Sequence, residues 1–195
     1  MTHDIALRCR CGTVRGLARD VTRDNGTRGV CYCDDCQAYA RYLGSADLLN
    51  AFGGSDLYQT MPKRVSFDAG EQLRCVRLSE KGMHRWYVAC CRTPVGNTFG
   101  AKMPFVGIPV AFWDRAALDA ATGEPIAHVQ GKFARGDVPA YVHQTWPASL
   151  LGRGFRLLGG WALARGWKPS PYFDERGRPR ATVQTLAPEE RRALA

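Results

Sequence analysis

The order of the cysteines limits this chain more tightly than any other feature. They fall as Cys9-Arg-Cys11, then Cys31-Tyr-Cys33-Asp-Asp-Cys36, then the adjacent pair Cys90-Cys91, with Cys75 standing apart. Three cysteines within the six residues from Cys31 to Cys36 are hard to explain by packing. Tetrahedral zinc binds thiolates at about 2.3 Å, so its ligands must converge from short, tight segments. A two-residue gap allows a turn that aims both sulfurs at one ion. A one-residue gap also serves, because residues i and i+2 of an extended segment project to the same side. Gly12, directly after Cys11, permits a tight backbone turn beneath a metal. The Asp34-Asp35 pair inside the second group is also suited to starting a helix.

Disulfide bridging and redox cycling are the rival readings. Cysteines at i and i+2 bridge poorly to each other, though each can bridge to a distant partner. The N-terminal MTHDIALRCRCG carries no apolar stretch of signal-peptide length. A cytoplasmic location is therefore expected, where thiols stay reduced. A redox dithiol at Cys33 and Cys36 would leave the third cysteine beside them unexplained. Cys75, alone in the strand-like QLRCVRL, is expected to be a buried, inert thiol. His84, His128 and His143 lack cysteines in finger-like spacing, so each is expected to be a hydrogen-bonded structural histidine.

At 195 residues with a 45% hydrophobic share, the chain suffices for one sizeable core. No apolar run approaches the roughly 20 residues that span a bilayer. The formal charge of +9 comes largely from arginines spread along the chain without a basic block, which reads as a solvated surface. Attraction of an anionic partner, such as an acidic thiol or lipid headgroups, is the alternative; nucleic acid is not expected.

Short segments rich in Val, Leu, Ile and aromatics, at Ile5–Leu17, Arg64–Phe67, Gln72–Leu78, His84–Ala89 and Phe105–Phe112, predict a mainly β fold of short strands. Asp34–Tyr42 predicts a short helix. Asp114–Ala121 predicts another, with Asp114 as its N-cap and Gly123 as its stop. Pro147–Arg165 sets Leu151, Phe155, Leu158 and Trp161/Ala162 at three- and four-residue spacings, an amphipathic helix weakened by Gly152, Gly154, Gly159 and Gly160. It is expected to pack on the sheet or on a second copy of the chain, which makes 147–165 the candidate oligomer contact; a membrane-surface helix is the alternative. Lys168–Arg180 predicts an ordered but irregular arm, and Pro188–Ala195 a terminal helical turn or a loose tail.

Three stretches resemble, in order, the cysteine elements of the glutathione-dependent formaldehyde-activating enzyme family, which includes centromere protein V. They are CRCGTVRG from Cys9, CYCDDCQAYAR from Cys31, and SEKGMHRWYVACCRTPV from Ser79. In the last, Ser79, Gly82, Arg85, Tyr87, Cys91, Thr93 and Pro94 fall on matching positions. The resemblance covers residues 5–113 or so, and the ordered combination is more specific than any single element.

The resemblance implies a zinc-bound β-sandwich of the β-tent type over residues 1–113, with 114–195 as a helical and irregular extension packed on it. It implies a closed, structural Zn2+ site that joins Cys9 and Cys11 to the cysteines of the third element. A second, open Zn2+ site would use Cys31, Cys33 and Cys36 as active-site ligands. One point departs from the family pattern. With Cys91 aligned to the last cysteine of its C-x-x-C, Val88 stands where the other belongs. Cys90 could stand in, but neighbouring side chains in a strand face opposite ways, so this requires a bulge or turn. Another residue or water as the fourth ligand stays open. The implied activity is that of a carbon–sulfur lyase joining or separating formaldehyde and the thiol of glutathione, with the metal lowering the thiol's pKa or polarising the aldehyde oxygen. The alternative is a non-enzymatic, zinc-stabilised binding module whose basic surface meets a protein, membrane or nucleic acid.

Overall fold

The structure, a computed structural model, describes residues 3–194; residues 1, 2 and 195 of the segments drawn above lie outside them. In chain order the elements are β1 (His3–Arg8), β2 (Arg15–Val21), β3 (Thr27–Cys31), α1 (Asp34–Tyr42), β4 (Ser55–Thr60), β5 (Val65–Asp68), β6 (Leu73–Arg77) and β7 (His84–Val88). There follow β8 (Pro94–Thr98), β9 (Val106–Pro109), α2 (Arg115–Thr122), β10 (Ala127–Val129), α3 (Ala148–Leu163), β11 (Val183–Thr185) and α4 (Pro188–Arg192). The protein is mainly β. Its strands form a three-stranded sheet, β1-β2-β5, and an eight-stranded sheet in the order β10-β3-β4-β9-β8-β7-β6-β11. Among the described residues no helix is long and apolar enough to cross a membrane.

Alternation builds the small sheet. Ile5 and Leu7 of β1 are buried while Asp4, Ala6 and Arg8 between and beside them face solvent. The stretch Ile5–Leu17, expected as one strand segment, is a hairpin of β1 and β2. Its turn relies on Gly12, whose φ of +78° only glycine adopts without strain. In the large sheet β8 and β9 are buried along their whole length, as expected for central strands covered on both faces. All its pairings are antiparallel except at the edges, where β10 joins β3 and β11 joins β6 in parallel.

The main core centres on Trp86, fully buried among Tyr58, Ile108, Phe112 and Tyr172. Tyr172 comes from the irregular arm. Its hydroxyl donates to Val95 O at 2.8 Å. It approaches so closely that a Cβ on Gly96 would lie 2.4 Å from the hydroxyl oxygen. The segment after residue 113 thus supplies both edge strands and one of the central aromatic rings.

α1 spans the predicted residues. α2 is capped as expected, with the Asp114 carboxylate accepting from Ala117 N–H at 3.1 Å and Gly123 ending it at φ +66°. Arg28, buried in β3, donates to Asp56 at 2.9 Å and to Asp119 of α2 at 2.6 Å. A third bond, to Gly123 O at 2.8 Å, completes the satisfaction that a buried guanidinium requires.

α3 keeps the Trp161 end of its predicted stripe and departs from the rest. It buries Leu157 and Trp161, while Leu151 and Phe155 stay exposed. Its C-terminal end is anchored, with Lys63 N–H donating to Gly166 O at 2.9 Å. Its N-terminal half stands over a cleft in the sheet instead of packing into it.

Candidate metal centres and the adjoining cleft

The seven cysteines singled out from the sequence converge in two groups. Cys9, Cys11, Cys90 and Cys91 form one, and Cys31, Cys33 and Cys36 the other; within each group the sulfurs lie within 4.8 Å of one another. All are free thiols. Cys75 stands apart in β6, buried, its thiol pushed up to about 12 by burial. No histidine joins either group among the described residues.

The four-thiol group joins the two sheets. Cys9 and Cys11 sit in the β1–β2 turn, where Cys9 N–H donates to Val14 O at 3.0 Å and Val14 N–H donates to Cys9 Sγ at 3.2 Å. Cys90 and Cys91 sit in the β7–β8 turn, not within a strand. Arg92 adopts a left-handed φ of +55° there, and its N–H donates to Val88 O at 2.8 Å. That turn resolves the steric objection to an adjacent pair, because alternation of faces holds only in extended chain. Cys90 takes up the position that the sequence leaves without a cysteine at Val88. The separations Cys9–Cys11, Cys11–Cys90, Cys90–Cys91 and Cys9–Cys90 are 3.5, 3.4, 3.8 and 3.9 Å. A tetrahedral thiolate shell with metal–sulfur bonds of about 2.3 Å has an edge of about 3.8 Å, whereas a disulfide is about 2.05 Å. The donor set therefore fits a metal ion and not a bridge. Thr93 braces it, with its Oγ1 accepting from Arg10 N–H at 3.0 Å and lying 3.1 Å from Cys91 Sγ. Contacts with Thr13 hold the exposed Cys11 thiol down at about 6.

The three-thiol group is local. Cys31 ends β3, Cys33 occupies the N-cap position of α1, and Cys36 lies in its first turn, with Cys36 N–H donating to Cys33 O at 3.0 Å. Strand alternation sends Tyr32 into a satellite core and leaves Cys31 and Cys33 on the other side. Gln37 locks the loop by donating to Tyr32 O at 2.9 Å and Phe133 O at 2.8 Å.

These three thiols lie at the floor of a cleft of about 550 Å³. Beside them is Arg85 of β7, only 3% exposed. Its guanidinium lies 3.5 Å from Asp35 and 5.2 Å from the Tyr39 ring centre, and its Nε has no hydrogen-bond partner. Asn97 of β8 also lines the cleft, buried, with Oδ1 unpartnered. Hydrogen bonds from Cys31 and Cys33, reinforced by Arg85, hold Cys36 well below the ordinary thiol range, while the same exchange pushes Cys31 up. Without a cation, three adjacent thiols cannot all ionise; a divalent ion would let them. Among the described residues three protein donors converge here, which leaves a coordination position facing the cleft.

Arg85 was visible in the sequence only as a position shared with the resembling family. Its signal is a lone cation between the aromatics of a central strand. Asn97 was hidden in PVGNT, which reads as a turn. The cleft's outer wall comes from α3 and Trp146, far from the cysteines in sequence.

Fold and site together define a mainly β protein with two thiol groups able to hold metal. The chain belongs to a family of unknown function (DUF6151), whose profile matches residues 1–184. Among curated proteins none matches the chain.

Proposed function

We propose that both thiol groups bind zinc, in a β-tent arrangement, and that the chain is a carbon–sulfur lyase of the formaldehyde-activating type working at Cys31, Cys33 and Cys36. The observation that carries this reading is the convergence of three thiols, with no fourth protein donor among the described residues, at the floor of the large cleft. Closed four-ligand sites stabilise, whereas three-ligand sites leave room for substrate. When bound, zinc would supply Lewis acidity toward an aldehyde oxygen and favour the thiolate form of an incoming thiol. The reaction adds R–SH across the C=O bond of formaldehyde to give R–S–CH2–OH, or reverses it, with the thiol proton ending on oxygen and no change in oxidation state.

The chain's own groups have definable parts in this. Cys31, Cys33 and Cys36 hold the metal. Arg85 offsets the negative charge that three thiolates bring into a buried site, and its free Nε can donate to a developing oxyanion. Asn97 Oδ1 can accept from the hydroxyl of the adduct. Both atoms are buried. The ordered resemblance of all three cysteine elements adds support for this chemistry.

The test is exchange spectroscopy on formaldehyde and a thiol with zinc-reconstituted protein. The expected result is faster interconversion of thiol and hydroxymethyl adduct than in buffer, lost in Cys33→Ser. Zinc at both groups with no acceleration above buffer for any thiol would instead leave the binding-module alternative standing.

A further inference from the structure

We infer that the thiol served by this cleft ends in an uncharged, apolar tail that lies along the inner side of α3, and is not a charged tripeptide such as glutathione. This inference rests on the proposed reading of the three-thiol group and specifies the rest of its substrate.

Polarity in the cleft is graded. Two unpartnered polar atoms, Arg85 Nε and Asn97 Oδ1, sit in buried side chains near the cysteines. The rest of the lining is mostly apolar, with Leu57, Phe99, Phe105, Leu150, Phe155 and Leu158 from the sheet on one side and α3 on the other, and Gln59 and Gln130 as uncharged polar members. Such a layout suits a small reactive head and a long hydrophobic remainder.

Charge points the same way. The only charged side chains lining the cleft are Arg85 and Asp35, and they face each other at 3.5 Å. Asp35 is also held by Arg191 at 3.0 Å. Arg153, next to the cleft, is committed to backbone carbonyls of Arg23 and Gly26 and to Thr27 Oγ1. Glutathione brings two carboxylates and an ammonium, and beyond the Arg85–Asp35 pair the lining among the described residues carries no charge to pair with them. Burying such charges unpaired is strongly unfavourable.

The wall itself has room. Phe155 is 74% exposed and Leu151 45% exposed, although both line the cleft. Gly154 lines it too, and a Cβ there would meet nothing within 4 Å. Packing does not require that glycine, and it weakens the helix by about 1 kcal/mol relative to alanine. Its effect is to keep the groove wide beside Phe155.

The experiment titrates the cobalt-reconstituted protein with straight-chain thiols from ethanethiol to octanethiol, with the matching alcohols, and with glutathione. Displacement of anilinonaphthalene sulfonate reports the tail, and the cobalt–thiolate absorption reports the head. Affinity is expected to rise about fourfold per methylene in both series, the worth of one buried CH2. Glutathione should displace no dye. Gly154→Leu should weaken octanethiol about 15-fold while leaving ethanethiol within about twofold, the difference being two displaced methylenes. This variant should fold, since the position is open and leucine is the better helix former. Affinity independent of chain length, or glutathione competing as well as octanethiol, would overturn the inference. Chain-length dependence in both series with unmoved cobalt bands would uphold the apolar subsite and overturn the zinc-site reading alone.

Discussion

The two thiol groups differ in what they tie together. Cys9 and Cys11 belong to the small sheet and Cys90 and Cys91 to the large one, so a metal there would close a loop of about 80 residues, the contacts being 79 and 81 apart in sequence. Cys31, Cys33 and Cys36 span the end of one strand and the start of the next helix, six residues in all. By chain entropy alone a clip is worth about 4–5 kcal/mol for the long loop and about 2 kcal/mol for the short one. The first group is partly open to solvent and braced by hydroxyls. The second is sunk in a cleft beside a buried guanidinium. Same ligand atoms, different surroundings: one arrangement is suited to holding the fold, the other to offering an ion to a small molecule.

Three experiments would break or sharpen this contrast. The largest expected effect is from Cys9→Ser with Cys11→Ser, which should abolish cooperative thermal unfolding and release all metal. Cys33→Ser should lose about one metal equivalent and keep a cooperative melt, as read by metal analysis and calorimetry. Equal damage from both variants would erase the division of labour. Next, Arg85→Met should weaken metal at the three-thiol group about 10- to 100-fold, the usual effect of an outer-shell change, and leave the four-thiol group untouched in a competition titration with a chelator. Smallest, Thr93→Val removes the acceptor of Arg10 N–H and the neighbour of Cys91. It should cost about 1 kcal/mol in chemical denaturation and shift only the four-thiol affinity.

Local chemistry was legible in the sequence, and long-range assembly was not. Both cysteine groups, α1, and the cap and stop of α2 follow from residues within a turn or two of one another. β3 and β4 escaped notice because TRGVC and SDLYQT carry Arg28 and Asp56, charges that look solvated until they meet across the sheet. β8 escaped because PVGNT has the composition of a turn. Its Gly96 exists for the approach of Tyr172, 76 residues on, and its Asn97 serves the cleft. β10 and β11, at three residues each, are too short for any periodicity. For α3 the spacing signalled a helix but not its orientation. Trp161 faces the protein as expected and Leu157 joins it, while Leu151 and Phe155, expected on the same face, border open space. A cleft assembled from seven separated segments leaves no pattern in any one of them.

The edges of the large sheet carry a consequence for how the chain is made. Both bordering strands, Ala127–Val129 and Val183–Thr185, lie after residue 113 and pair in parallel with partners synthesised far earlier. Until residue 185 has left the ribosome, the nascent sheet presents an unpaired rim at Leu73–Arg77, and such rims are where chains stick to one another. The protein should therefore be most prone to self-association during translation rather than after it, and a shortened transcript should yield aggregate rather than a smaller soluble domain.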